Sequence, residues 1–100
     1  MSSDLIRSRG IAFQPSYPNP FRDEATILYE VSEPGPVTIE VFSVTGRLVR
    51  HLFGGDVTRG LHRTTWDAAD GQGRRVASGV YFLMVSSRGA SASTKVLFVN

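Results

Sequence analysis

The sequence predicts an all-β fold, an antiparallel β-sandwich of about seven short strands, and three observations lead to this prediction. Apolar and polar residues alternate along several segments with the two-residue period of a strand. Turn-forming residues separate these segments at intervals of ~8–12 residues, as in small sandwiches and barrels, of which the sandwich is favoured. No window of about a dozen residues keeps a helical period without glycine, proline or β-branched residues, so no helix is predicted.

The N-terminal third contains a polar segment, a proline-rich segment and the first regular strand. Residues 1–10 are predicted to be a linker or a vector-derived remnant, because they offer almost nothing to bury, and residues 11–100 form the domain. A short edge strand is predicted at residues 11–13, and the prolines within residues 14–21 then exclude a helix or a central strand. In residues 25–31 one face is apolar and consists of Ala25, Ile27, Tyr29 and Val31.

The remaining strands are predicted between turn signals such as Pro34-Gly35 and Thr45-Gly46, at residues 37–41, 47–53, 61–68, 80–85 and 94–99. Residues 80–85 are apolar on both faces, which is typical of a central strand that is covered above and below. Between two sheets about 10 Å apart, the predicted core contains Ile27, Tyr29, Ile39, Val41, Trp66, Phe82 and Met84.

Composition limits the classes of function. One hundred residues with 41% hydrophobic composition suit one domain with a modest core. A net charge of +2, with both signs interspersed, does not indicate a nucleic-acid partner. There is no cysteine for a disulfide or a thiolate site. No apolar run approaches the ~20 residues of a membrane span, so none is predicted.

The acidic turn that holds Asp67 and Asp70 is the best candidate for a metal site. A calcium loop needs several converging oxygen ligands, whereas two arginines follow this turn directly. The favoured interpretation is a tight glycine-rich turn, with calcium as the alternative. His51 and His62 have no partners at zinc-ligand spacing. Since no catalytic constellation is visible either, the sequence predicts no enzyme active site and no cofactor.

Aromatic and apolar residues suggest two hypotheses about surfaces. Trp66 lies in a predicted inner row, which favours core packing over a sugar-binding platform. Leu28, Phe42 and Tyr81 are apolar residues on predicted outer faces, and they would form an exposed patch for a partner if they cluster. Alternatively, one of them marks a bulge that reverses the register of its strand.

Several motifs follow one another along the chain: Tyr17-Pro18-Asn19-Pro20-Phe21, Val41-Phe42-Ser43-Val44-Thr45-Gly46-Arg47-Leu48-Val49, Gly60-Leu61-His62, Thr65-Trp66-Asp67, Ser78-Gly79-Val80-Tyr81-Phe82 and Thr94-Lys95-Val96-Leu97-Phe98-Val99. In this order and spacing the chain resembles the type A C-terminal sorting domain of type IX (Por) secretion cargo. It is also similar to the immunoglobulin-like domain of the flagellar hook-capping protein, which shares the pattern. The resemblance covers residues 11–100.

The resemblance implies an immunoglobulin-like antiparallel β-sandwich of about seven strands at the end of a secreted bacterial protein. Its implied role is non-catalytic sorting and cell-surface targeting, with recognition by the outer-membrane type IX secretion machinery. The implied partners are this machinery, a sortase-like peptidase that cuts in the linker, and a covalently attached N-terminal passenger domain. The implied location is secreted or on the cell surface, with the periplasm in transit.

The resemblance also assigns roles to residues of this sequence. Pro18, Asn19, Pro20 and Phe21 form the entry motif, Gly46 is the turn of the central hairpin, Trp66 belongs to the pattern, and the signature strand contains Gly79 and Tyr81. The terminal strand that the machinery is thought to read contains Lys95, Val96, Leu97, Phe98 and Val99. The alternatives are an immunoglobulin-like structural domain of a flagellar hook-capping type or other extracellular assembly, and an accessory carbohydrate-binding domain of a secreted hydrolase.

Overall fold

The computed structural model describes residues 7–8 and 10–100, which form an all-β sandwich of two four-stranded sheets. The strands are β1 (Arg7–Ser8), β2 (Ile11–Phe13), β3 (Ala25–Val31), β4 (Gly35–Phe42), β5 (Leu48–Val57), β6 (Gly60–Trp66), β7 (Gly79–Ser87) and β8 (Ala90–Phe98). The predicted sandwich is confirmed, and the two-residue β1 joins the strands that were expected. The linker predicted at residues 1–10 falls largely outside the described residues and stays a prediction. No helix long and apolar enough to cross a membrane occurs in the described residues.

Sheet I, with the strand order β1-β2-β3-β6, follows the alternation predicted for β3. Every second residue of β3, from Ala25 to Val31, is buried. β6 runs antiparallel to β3, so that Trp66 lies opposite Ala25 and Gly60 opposite Val31. The alternation works here because one face of the sheet covers the core and the other meets solvent.

Sheet II has the strand order β5-β4-β7-β8, with antiparallel pairing throughout. Its central strand β4 directs Val37, Ile39 and Val41 into the core, as the sequence predicts. The pairing of β5 with β4 is less regular, since its register shifts on either side of the Glu40–Val41 step. Such shifts bend an edge strand and change which side chains it directs outward.

The predicted register of β7 is wrong by one residue. Tyr81, Leu83 and Val85 face the core, whereas Phe82 and Met84, which we expected there, lie on the outer face. Because both faces of this strand are apolar, its sequence offers no alternation from which to choose the inner one.

Four aromatic side chains form the centre of the core between the sheets. The indole ring of Trp66 lies 5.2 Å from the ring of Tyr81, edge to face, and 5.7 Å from that of Phe21. Phe98 lies 5.2 Å from Phe21. Of the residues predicted for the core, Ile27, Tyr29, Ile39, Val41 and Trp66 are confirmed as buried. Trp66 therefore joins the two sheets, because β6 belongs to sheet I and β7 to sheet II.

Candidate recognition surface

The resemblance implies that the secretion machinery recognises the terminal strand. The side chains of this strand alternate between the core and the surface. Val96 is 1% exposed and Phe98 is fully buried, whereas Lys95 and Leu97 face outward from sheet II. Val99, directly after β8, is half-buried. While the domain is folded, a partner that contacts the face of this strand meets the side chains of Lys95 and Leu97.

The Pro-Asn-Pro-Phe motif covers the end of β8. The side chain of Asn19 accepts a hydrogen bond of 2.9 Å from the backbone N–H of Leu97. The backbone N–H of Phe21 donates to the carbonyl of Leu97, and the N–H of Val99 donates to the carbonyl of Phe21, both at 2.9 Å. Phe21 pairs with Phe98 as a parallel bridge. The motif thus occupies backbone groups that an edge strand would otherwise present to solvent.

Pro18 and Pro20 flank Asn19, whose side chain contacts β8, and the peptide bonds before both prolines are cis. The two proline rings are exposed, whereas the side chain of Phe21 is inserted between Trp66 and Phe98. The Pro-Asn-Pro-Phe motif and the predicted recognition strand are therefore parts of one structural unit. Sequence spacing does not reveal this unit, because Asn19 and Leu97 lie 78 residues apart.

An apolar stripe crosses the outer face of sheet II. Phe42 lies opposite Leu48 on one side and opposite Phe82 on the other, and Val80 lies opposite Leu97. Four of these side chains are exposed and Phe42 is half-buried. We name these five residues the outer apolar row. It joins the outward side of the terminal strand to the far edge strand β5.

The patch predicted from Leu28, Phe42 and Tyr81 does not form. Tyr81 is only 8% exposed, and its hydroxyl donates a hydrogen bond of 2.6 Å to the carbonyl of Ala77. Burial raises the pKa of this tyrosine. Leu28 is half-buried on sheet I, so of the three residues only Phe42 lies on the outer face of sheet II. With the corrected register of β7, Phe82 and Val80 face outward instead of Tyr81.

The acidic turn uses its carboxylates to hold its own backbone. Asp67 Oδ1 accepts a hydrogen bond of 3.1 Å from the N–H of Ala69 and pairs with Arg50 at 3.4 Å. Asp70 Oδ1 accepts from the N–H groups of Gln72 and Arg74 at 2.9 and 3.0 Å. The hydrogen bond from Arg74, followed by that from Gln72, lowers the pKa of Asp70. Within residues 10–100 no three side chains of the metal-ligating types come together.

The positions of Trp66 and the two histidines bear on the hypotheses of a sugar-binding platform and of a histidine site. The indole N–H of Trp66 donates a hydrogen bond of 2.9 Å to the carbonyl of Ala69, and the ring is 1% exposed. It therefore offers no face to a sugar. His62 on β6 lies against the ring of Tyr29, while His51 on β5 approaches Glu40 at 3.7 Å. The two imidazoles belong to different sheets and do not form a joint site.

Gly46 allows the tight turn between β4 and β5, the strands of the central hairpin. Its φ angle is 87°, in the left-handed region that favours glycine, and its N–H donates to the carbonyl of Ser43 at 2.9 Å. Gly79 opens β7 opposite Phe98. Gly46 therefore lies in the turn between β4 and β5, and Gly79 is the first residue of β7.

Comparison with known proteins shows a family, and the similar solved structures include PorU and PorZ. The family model described as FlgD Ig-like domain matches residues 22–91. No curated protein matches the chain. Dimeric latent PorU from Porphyromonas gingivalis is similar in structure, with a TM-score of 0.68 and 24% identity over 89% of this chain and 9% of that chain.

PorZ, described as an essential bacterial surface component of the type-IX secretion system of Porphyromonas gingivalis, is also similar. Its TM-score is 0.57, with 28% identity over 86% of this chain and 11% of that chain. This chain thus spans about a tenth of the length of each neighbour, at 9% and 11%. The similarity concerns one small domain of much larger proteins.

Proposed function

Because this chain belongs to the FlgD Ig-like domain family, we propose that it is a non-catalytic sorting and cell-surface targeting module of a secreted bacterial protein. Its partners are the outer-membrane type IX secretion machinery, a sortase-like peptidase and a covalently attached passenger domain. Its location is the cell surface or the exterior, after passage through the periplasm. The similarity to PorZ, a surface component of a type-IX system, supports this proposal over 86% of the chain.

The observation that carries the proposal is the outer apolar row on sheet II. Large contiguous apolar patches on a protein surface often mark interaction sites. Here the row includes Leu97, a residue of the strand that the resemblance marks as recognised, and Val80 of the signature strand. In this proposal the machinery contacts the folded domain at this face, where Leu97 is 37% exposed. The buried Val96 and Phe98 stabilise the strand from beneath.

A secretion assay with point variants tests this role. A reporter is fused in front of the domain and expressed in a bacterium that has a type IX system. We expect the double variant Val80→Gln, Leu97→Gln to lower the amount of surface or medium reporter about tenfold, as interface hot-spot changes do. The matched control is Leu61→Gln on sheet I, a leucine that is 59% exposed.

The outcome depends on the contrast between these variants. Equal secretion of the double variant and the control contradicts recognition through the outer apolar row. Retention of every fusion, including the unmodified one, contradicts the sorting role itself. Point variants are sharper than removal of residues 95–100, because that deletion also removes the buried side chains of Val96 and Phe98. Thermal unfolding of each purified variant checks that the fold is intact.

A second candidate function is that of an immunoglobulin-like structural domain in a flagellar hook-capping or other extracellular assembly. The family match is consistent with this candidate as well, since the model describes an FlgD Ig-like domain. Under it, the outer apolar row packs against neighbouring subunits. Export of the reporter through the type IX system decides between the two, because a structural domain does not direct it.

A further inference from the structure

A groove lies between the start of β5 and the loop of residues 67–77, apart from β8. Its volume is about 660 Å³, within the range of ligand-binding clefts. Guanidinium groups and apolar side chains share its lining, which includes Arg47, Arg50, Arg74, Leu48, Val49 and Val76. This combination differs from the outer apolar row, which contains no charged residue.

The groove is preformed, because hydrogen bonds hold the loop against the edge strand. The N–H of Gly71 donates to the carbonyl of Val49 at 3.0 Å. Within the loop, the N–H of Asp70 donates to the carbonyl of Arg74 at 2.8 Å, and Asp70 Oδ1 accepts from the N–H of Arg74. Both walls are thus fixed, so a ligand does not have to order them.

The lining carries more positive than negative charge. Arg50 donates to Asp67 at 3.4 Å and to the carbonyl of Ala69 at 3.1 Å. Arg47 and Arg74 form no ion pair with a carboxylate in the described part of the chain, and Arg74 instead contacts the amide oxygen of Gln72. Asp70 is the one carboxylate among the lining residues, and its Oδ1 already accepts two backbone N–H groups.

We propose that this groove binds an extended acidic peptide segment of a partner protein. Guanidinium groups recognise carboxylates through paired, charge-assisted hydrogen bonds. Neither Arg47 nor Arg74 forms an ion pair with a carboxylate in the described residues, and a peptide carboxylate would take the place of Gln72 at Arg74. Leu48, which is exposed, and Val76 supply apolar contacts that an inorganic anion does not use. The proposal is independent of the sorting role, since it concerns binding by the domain alone.

The groove fits a peptide better than a nucleic acid. Binding of single-stranded nucleic acids relies on exposed aromatic rings on which bases stack. Two rings line the groove, and that of Tyr81 is buried with its hydroxyl bonded to Ala77. The other, the exposed imidazole of His51, lies 3.7 Å from the carboxylate of Glu40, which repels a phosphate backbone. Leu48 also ends the outer apolar row, so a segment in the groove continues directly onto that row.

Nuclear magnetic resonance titration of the full ¹⁵N-labelled chain tests the proposal. The probe is the peptide acetyl-Glu-Glu-Leu-Glu-Glu-amide, and its counterpart replaces each glutamate with glutamine. We expect the acidic peptide to shift the amide signals of residues 47–50 and 70–77, and to bind more weakly as salt is raised. The double variant Arg47→Gln, Arg74→Gln should lose about tenfold or more in affinity. Arg63→Gln, on sheet I, is the matched control and should bind as the unmodified chain does.

Three results would overturn the proposal. The first is equal binding of the glutamine peptide, which would assign the contact to apolar groups. The second is an equal loss of affinity in the Arg63→Gln control. The third is tighter binding of tripolyphosphate or of vesicles of anionic lipid at the same residues, which would assign the groove to phosphate. None of these results bears on secretion of a reporter, so the two proposals fail separately.

Discussion

The outer faces of the two sheets differ, although both sheets have four strands and cover one core. On sheet I the outward residues of β3 and β6 pair as Thr26 with Thr65, Leu28 with Arg63 and Glu30 with Leu61. Each leucine there lies opposite a charged residue. On sheet II, Leu48, Phe42 and Phe82 lie side by side across three strands. Both sheets bury alternate residues, so the composition of their outer rows is what distinguishes them, and the proposed function assigns docking to the apolar row of sheet II.

The largest expected effect comes from a substitution in the core that lies between the two sheets. Replacing Trp66 with alanine should lower the free energy of unfolding by about 3–5 kcal/mol, because a fully buried aromatic ring leaves a cavity. Its indole also loses the hydrogen bond to the carbonyl of Ala69. Urea unfolding followed by circular dichroism measures the change. The Trp66→Phe variant is the control, and it should retain part of the lost stability; equal loss in both variants would contradict the packing argument.

A smaller effect separates the two sides of the terminal strand. Val96→Ala should cost about 2 kcal/mol of unfolding free energy, since its side chain is fully buried. Leu97→Ala, one residue further, should change it by less than about 0.5 kcal/mol, because its side chain faces outward. The same unfolding experiment measures both variants. If Leu97→Ala is the more destabilising of the two, the assignment of inner and outer faces on β8 is wrong.

The smallest of these effects concerns the motif that covers the edge of sheet II. Asn19→Ala removes the acceptor for the Leu97 N–H and should cost about 1 kcal/mol. Hydrogen exchange of the Leu97 amide should become faster by a corresponding factor. Asn19→Asp keeps a side-chain oxygen at this position and should preserve the protection. Unchanged exchange in Asn19→Ala would show that the side chain does not protect this amide.

The sequence is sufficient to predict the strands whose two faces differ. The inner rows of β3 and β4 were predicted correctly, because most residues on their outer faces are polar. On β7 the prediction failed, since Tyr81 and Phe82 are both aromatic and the strand is apolar on both sides. Its register is set by pairing with β4 and β8, which are contacts that periodicity does not report.

The candidate site was predictable only in part, for the same reason. The resemblance predicts roles for the Pro-Asn-Pro-Phe motif and the terminal strand, and these stay predictions, whereas the match over residues 22–91 shows the FlgD Ig-like domain family. That Asn19 and Phe21 bind β8 follows from long-range geometry instead. Similarly, Leu48 lies opposite Phe42 because the pairing of β5 with β4 shifts its register twice. The sequence suggests a bulge at Leu28, Phe42 or Tyr81 but does not give these two shifts.

The contact between Asn19 and Leu97 has a consequence for how the chain folds. The partners are 78 residues apart, so nearly the whole polypeptide must be available before the final strand can be secured. Folds dominated by such distant pairings form slowly, on a timescale of about milliseconds to seconds. A chain interrupted before β8 lacks the contacts that secure the edge of sheet II. The folded domain therefore forms only after the segment through β8 has been synthesised.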